Sequence, residues 1–309
     1  MKSGETMDTF YAKVETYNLT SDDKAFNTIT VKTEDRQLKT IAIDANASVK
    51  TGEVYRFTVT PNEDDIRERP LVSAFTHFYD LTLKTSEKES IMRHFYDFAP
   101  LAIEKIQTTV ESYLARIENP AIKTITETLF RRKEDDFYLY PAATRFHHAY
   151  IGGVAYHTMT MLKLVDGLVA TYPYLNEELL IAGIILHDLY KIGELSNYHA
   201  PNYTKEGKLI GHLVMGSEAI GQIAREQGVY DTEERLLLQH MLLTHHYYGN
   251  FGSPKKPNIP EALALHFIDN IDSKFAVLGE ALKQTKKGEF TQSLGVLDRE
   301  RYYKAKGNK

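Results

Sequence analysis

Residues Leu179–Leu195 read LLIAGIILHDLYKIGEL, and the reading of this stretch decides the fold. An apolar run ends in an adjacent imidazole and carboxylate, His187 and Asp188, and a cation, Lys191, follows three residues later. Burying both groups at the end of such a run is costly unless something pairs with both, and a metal ion is the partner that does so most simply. Taken alone, the pair has a plainer reading: a helix C-terminus at which His187 packs in the core and Asp188 meets solvent. The neighbouring segments decide between the two.

Immediately upstream, Asn176 is placed as an N-cap, with Glu177 and Glu178 in the first turn of a helix that runs through Leu186 to the pair. Adjacent helical residues differ by about 100° in direction, so the two side chains can clasp one ion from different sides, or Asp188 can bridge two. Ten of the twelve histidines lie between His147 and His266. His157 shares a helical face with Met161, Leu164, Val165 and Leu168 and so points inward. His212 opens the helix HLVMGSEAIGQIAREQG. A further helix, from about Glu233, carries Leu238, Met241, Leu242 and His245 on one face, with His246 just past it. In LALHFIDNIDSKF, Asp269 follows Leu265 by one turn, and Asp272 and Lys274 come next. These inward groups come from five helices, and burying them without a common partner would cost on the order of several kcal/mol or more. One or two metal ions supply that partner. Five imidazoles and two carboxylates, in a chain without cysteine, suit manganese, iron, cobalt, nickel or zinc better than calcium or magnesium.

The first third has a different period. FYAKVETYNL, FNTITVKT, LKTIAIDA, VYRFTVTP and PLVSAFTHFY alternate with period two and are rich in β-branched and aromatic residues, with polar turn clusters between them. Five short strands predict a small barrel, of which the OB-fold is the leading five-stranded form, with an SH3-like barrel or small sandwich as alternatives. Tyr11, Tyr17, Tyr55 and Phe57 are candidate base-stacking residues, with Lys13, Lys39 and Arg56 near them; the plainer reading is barrel core and ordinary surface. After Leu81 the period becomes helical, with Ser86 and Glu89 as an expected capping box and an apolar stripe continuing towards Phe137. The expected fold is thus an α+β two-domain chain: an OB-like barrel over 1–80, a helical connector over 81–135, and an all-α bundle over 136–309 with a basic tail.

Composition narrows the chemistry. The absence of cysteine excludes disulfides, thiolate zinc sites and a cysteine nucleophile. No apolar run approaches bilayer-spanning length and the first residues lack an apolar leader, so the expectation is a cytoplasmic protein with no membrane partner. A net charge of −5 gives no general attraction to nucleic acid. A polyanion would need local patches such as Arg131-Arg132-Lys133, Lys255-Lys256, Lys286-Lys287 or the tail from Arg299 to Lys309.

The ordered set H, HD, H, HH, D resembles the HD-domain metal-dependent phosphohydrolases. More closely, FHHAYIGGVAYHTMTMLKL, YTKEGKLIGHLVMG, LLLQHMLLTHHYYGNFGSPKKP and EALALHFIDNIDSKF resemble the YhaM-type 3′→5′ exoribonucleases, which pair an OB-fold with an HD domain. The resemblance implies that His157, His187, Asp188 and Asp269 hold one metal. Asp188 would also reach a second ion, bound by His212, His245 and His246, and Lys191 would contact the scissile phosphate. Manganese is the foremost expected ion. The implied activity is hydrolysis of single-stranded RNA, with single-stranded DNA open, from the 3′ end to nucleoside 5′-monophosphates by metal-activated water. His147, His148 and His266 are candidates to support ligands or touch substrate, and Lys255, Lys256 and Lys274 to bind it. One departure stands out: where the family usually has Gly after HDL, this chain has Tyr190, which would narrow the substrate channel, stack on a base or lie outward. Rival readings are an HD-type phosphohydrolase of nucleotides or cyclic nucleotides, and a non-catalytic nucleic-acid binder with a regulatory HD site. Homo-oligomerisation is left open.

Overall fold

The computed structural model of the chain describes residues 7–18, 25–61, 69–143, 150–199 and 201–307. The chain divides into two compact units, Met1–Asp97 and Phe98–Lys309. In the first, β1 (Asp8–Asn18), β2 (Phe26–Thr33), β3 (Leu38–Asp44), β4 (Val54–Thr60) and β5 (Leu71–His77) close into a barrel in the order β1-β2-β3-β5-β4. β1 pairs antiparallel with both β2 and β4, and β3 closes the barrel by a parallel pairing with β5. This closed five-stranded barrel is OB-like, as the alternating pattern anticipated. Inward positions Ala12, Val14, Ile29, Val31, Ile41, Ile43, Tyr55, Phe57 and Val59 fill its core.

Two of the four candidate stacking aromatics are therefore not available to a ligand. Tyr55 is 4% exposed and Phe57 fully buried. Residues 55, 57 and 59 share one strand face, and that face looks inward. Tyr17 is half-buried, and its hydroxyl accepts from Asn27 Nδ2 at 2.8 Å. The expected capping box after the barrel is also displaced. α1 (Thr85–Met92) begins earlier, the carboxylate of Glu87 accepts from the backbone N–H of Lys84 at 2.9 Å, and Glu89 pairs instead with Arg93. The 81–135 segment is shared between the units, since α2 (Ile103–Leu114) and α3 (Pro120–Phe137) pack into the second.

The second unit is helical. After α2 and α3 come α4 (Gly153–Leu162), α5 (Val165–Thr171), α6 (Glu177–Leu186), α7 (Lys191–Glu194), α8 (Lys205–Leu209), α9 (His212–Glu226), α10 (Glu233–Thr244) and α11 (Pro260–Gln284). Every residue of α6 from Leu179 to Leu186 is buried, so this helix, apolar on all sides, is the centre of the bundle. It packs against α3, α4, α10 and α11. Its start is fixed by polar contacts: Asn176 Oδ1 accepts from the Leu179 N–H, and Glu261 of α11 accepts from the Asn176 N–H at 2.7 Å. Glu178 accepts from the backbone N–H groups of Glu118 and Asn119 ahead of α3. At Gly183 a Cβ would lie 2.1 Å from the Met241 Cε, so the missing side chain lets α10 approach α6. Among the described residues, no helix is long and apolar enough to cross a membrane.

Candidate metal centre

The end of α6 delivers His187 and Asp188 into the interior, 1% and 3% exposed. Around them converge His157 from α4, His212 at the start of α9, His245 and His246 at the end of α10, and Asp269 from α11. Their ligand atoms fall into two groups, His157 with His187 and Asp269, and His212 with His245 and His246, each with its atoms within 4.8 Å of one another. Asp188 lies between the groups. Its Oδ2 is 3.3 Å from His187 Nε2 and 3.9 Å from His157 Nε2, while its Oδ1 is 3.4 Å from His212 Nε2.

The imidazoles are held by their far nitrogens. His187 Nδ1 donates to the Ile184 carbonyl at 2.7 Å, His245 Nδ1 to the Leu242 carbonyl at 2.8 Å, and His246 Nδ1 to the Phe251 carbonyl at 2.7 Å. His212 Nδ1 donates to Glu194 Oε2 at 3.0 Å. Such bonds fix the tautomer and turn an unprotonated Nε2 towards the cluster, which is how a metal-binding histidine is usually supported. His157 differs, because its Nδ1 meets Asp272 Oδ2 at 2.7 Å and its Nε2 meets Asp269 Oδ1 at 3.3 Å.

The titration of the cluster follows from this wiring. Burial opposes charge on His157, but Asp269 and Asp272 outweigh it and push its pKa up to about 10. Burial also opposes charge on Asp188 and Asp269. Lys191 and His187 nevertheless hold Asp188 well below the usual carboxylate range, and His157 does the same for Asp269. Burial pushes His245 and His246 down, so both stay neutral. Lys191 Nζ sits 2.8 Å from Asp188 Oδ2.

Three buried atoms test whether this donor set fits a metal. Among the described residues, Asp188 Oδ1, His212 Nε2 and His245 Nε2 have no hydrogen-bond partner. Orphaned polar atoms of this kind are costly. They gather at one place and are an oxygen and two imidazole nitrogens, the donors that borderline divalent ions take. The residues fit.

Two supporting residues, Glu194 and Asp272, were not singled out as such from sequence. Asp272 stands three residues after Asp269 on an inward stripe, a spacing that could have flagged it. Glu194 is explained by YTKEGKLIGH. Thr204 Oγ1 accepts from the Gly207 N–H and donates to the Gly193 carbonyl, and a Cβ on Gly207 would lie 2.3 Å from the Glu194 carbonyl oxygen. Gly211, at φ +78°, turns the chain so that the His212 N–H also meets Glu194 Oε1, at 3.2 Å. The motif thus seats Glu194 against His212.

Of the other candidates, His266 is buried behind the cluster, donating from Nδ1 to the His245 carbonyl at 2.7 Å. Lys255, Lys256 and Lys274 are exposed. His147 and His148 lie outside the described residues. Tyr190 packs in the seam beside Gly216 of α9, with Lys133 of α3 5.5 Å from its ring centre.

A helical unit with this ligand order defines an HD domain, and the HD domain family model matches residues 154–274, which contain all seven residues. Three curated relatives carry the name 3′-5′ exoribonuclease YhaM. That of Geobacillus sp. (strain WCH70) is 43% identical over 210 residues, 68% of this chain and 64% of that protein. Those of Bacillus pumilus (strain SAFR-032) and Bacillus subtilis (strain 168) are 41% and 40% identical over 220 residues, 71% of this chain and 70% of theirs. The matched stretch therefore spans about two thirds of the length of these relatives. The chain belongs to the YhaM 3′-5′ exoribonuclease family.

Proposed function

We propose that this protein is a metal-dependent 3′→5′ exoribonuclease that hydrolyses single-stranded RNA, and also single-stranded DNA, to nucleoside 5′-monophosphates. The observation that carries this reading is the pair of ligand groups joined through the two oxygens of Asp188. His157, His187, Asp188 and Asp269 would hold one divalent ion, and His212, His245 and His246, with Asp188, a second. When bound, such ions lower the pKa of water and offset charge on phosphoryl oxygens. Manganese is the proposed native ion, with iron, cobalt, nickel and zinc as the alternatives its donors also suit.

The chain's own residues supply the rest. Lys191 keeps its proton, because Asp188 outweighs the burial that opposes its charge. A cation at that place stabilises negative charge as it grows on a phosphodiester in the transition state. Glu194 and Asp272 orient His212 and His157. Lys255 and Lys256, His266 and Lys274 are assigned to substrate. The assigned domains are the nucleic-acid-binding barrel over 1–80, the connector over 81–135 and the HD domain over 136–309 with its basic tail. The protein is assigned to the cytoplasm, and self-association is compatible with this reading.

The test is single-stranded RNA labelled at its 3′ or its 5′ end, incubated with each divalent ion in turn. The 3′ label should appear at once as mononucleotide, while the 5′ label passes through a ladder of shortened strands. Inert oligonucleotide alongside turnover of a cyclic nucleotide would instead select a small-molecule phosphohydrolase.

A further inference from the structure

The loop that follows the paired histidines, Tyr247 to Asn258, is ordered at both ends yet presents large rings to solvent. Its first end is tied by the bond from His246 Nδ1 to the Phe251 carbonyl, and its last by the Asn258 N–H donating to His240 Nε2 at 2.9 Å. Tyr247 has φ +66°, and the Tyr248 N–H bonds the His246 carbonyl at 2.8 Å, so a strained three-residue turn is centred on a tyrosine. A bulky side chain in that conformation is uncommon and persists only where the surroundings hold it. Here the turn lays the Tyr247 ring on His266, centres 4.9 Å apart, with Lys256 Nζ 5.0 Å from its centre. The same turn leaves Tyr248 53% and Phe251 62% exposed, their rings paired at 6.1 Å. Phe267, beside His266 on α11, is 55% exposed.

Exposed rings held in an ordered loop mark an interaction surface. Its occupant is indicated by what surrounds it. Lys255 and Lys256 follow the rings in the same loop, and the backbone carrying Phe251 directly holds His246 of the ligand cluster. Aromatic faces with cations close by are what an unpaired nucleic-acid strand takes: bases stack on the rings while ammonium groups meet phosphates.

Building on the exoribonuclease reading, we propose that Tyr248 and Phe251 form a stacking platform for unpaired bases at the 3′ end of the RNA. Lys255 and Lys256 neutralise the adjoining phosphates. Tyr247 is a positioning residue, whose strained turn holds the platform to His246. Because stacking tolerates any base, the platform gives strand capture without sequence preference.

The test uses the full chain and a single-stranded RNA with 2-aminopurine at its 3′-terminal position. Stripped of metal, the parent should bind the RNA and quench the fluorophore. The double variant Tyr248→Ala/Phe251→Ala should lose the quenching and bind about tenfold or more weakly. With metal, its kcat/KM on RNA should fall by a similar factor, while its bound metal stays at the parental stoichiometry. Phe251→Leu, which keeps apolar bulk, guards against a folding defect and should also lose quenching. Parental quenching and RNA turnover in these variants would overturn the platform alone. A parent that quenches but hydrolyses nothing would support the platform and overturn the nuclease reading. Variants that change the oligomeric state with quenching intact would make the face a contact between copies and overturn the platform.

Discussion

Asp188 has contacts on both sides: Lys191, His187 and His157 approach one oxygen, and His212 the other. Asp188→Ala should therefore abolish metal binding by both groups and RNA hydrolysis together, leaving the barrel folded. Metal content after dialysis and circular dichroism would check this, and a variant degrading RNA at the parental rate would refute the assignment. Glu194→Gln keeps the size but removes the charge facing His212, so the metal affinity of that group should fall about 10- to 100-fold. Ion titration followed by calorimetry measures it. Among the seven ligand candidates, His157, His245 and Asp269 were legible as polar residues on apolar stripes and His187 and Asp188 as the pair ending one, whereas His212 and His246 were legible only as histidines at helix ends. Glu194 was not, since its inward direction depends on how YTKEGKLIGH folds back over it, and one acid among charged neighbours looks like surface.

Elements position these residues through close backbone approaches. Gly207→Ala should push α8 off the Glu194 carbonyl, destabilising the protein by about 1–3 kcal/mol and weakening metal binding by the His212 group. Gly167, with nothing within 4 Å of its added Cβ, is the control, and Gly167→Ala should be neutral or slightly stabilising. Tyr190 belongs at this scale too, because its ring fills the seam between α7, α9 and α3. Tyr190→Ala should cost about 2 kcal/mol in denaturant unfolding with kcat on RNA unchanged. A rise in kcat would show instead that the ring obstructs substrate. The five strands and the helix starts at Asn176, His212 and Glu233 were readable from alternation and caps. Alternation left Tyr55 and Phe57 between base stacking and the plainer reading of barrel core, and Val59, two residues on, shares their inward face. Strand order could not be read, because β3 meets β5 across 28 intervening residues through one parallel pair, Ala42 with Leu71.

For the molecule as a whole, the cluster sets how stability varies with pH when no ion is bound. His245 and His246 are held below their ordinary 6.5, so the unfolded chain binds more protons and their contribution is lost as pH falls below that value. His157, raised to about 10, works the other way, contributing fully below 6.5 and losing its contribution as pH rises through 10. Urea midpoints of chelator-treated protein should peak between these arms, at about pH 6.5, and a midpoint rising steadily from acid to alkali would contradict this wiring. The wiring also makes the two ligand groups unequal towards their ions. His245 and His246 offer nitrogens already bare, whereas His157 must first surrender the proton it shares with Asp269. Filling the His157 group should thus exchange a cation for a proton, and calorimetry in buffers of different ionisation enthalpy would count it. Mild acid should then empty the proposed centre in order, His157's group first, leaving one ion where two were held before the protein unfolds.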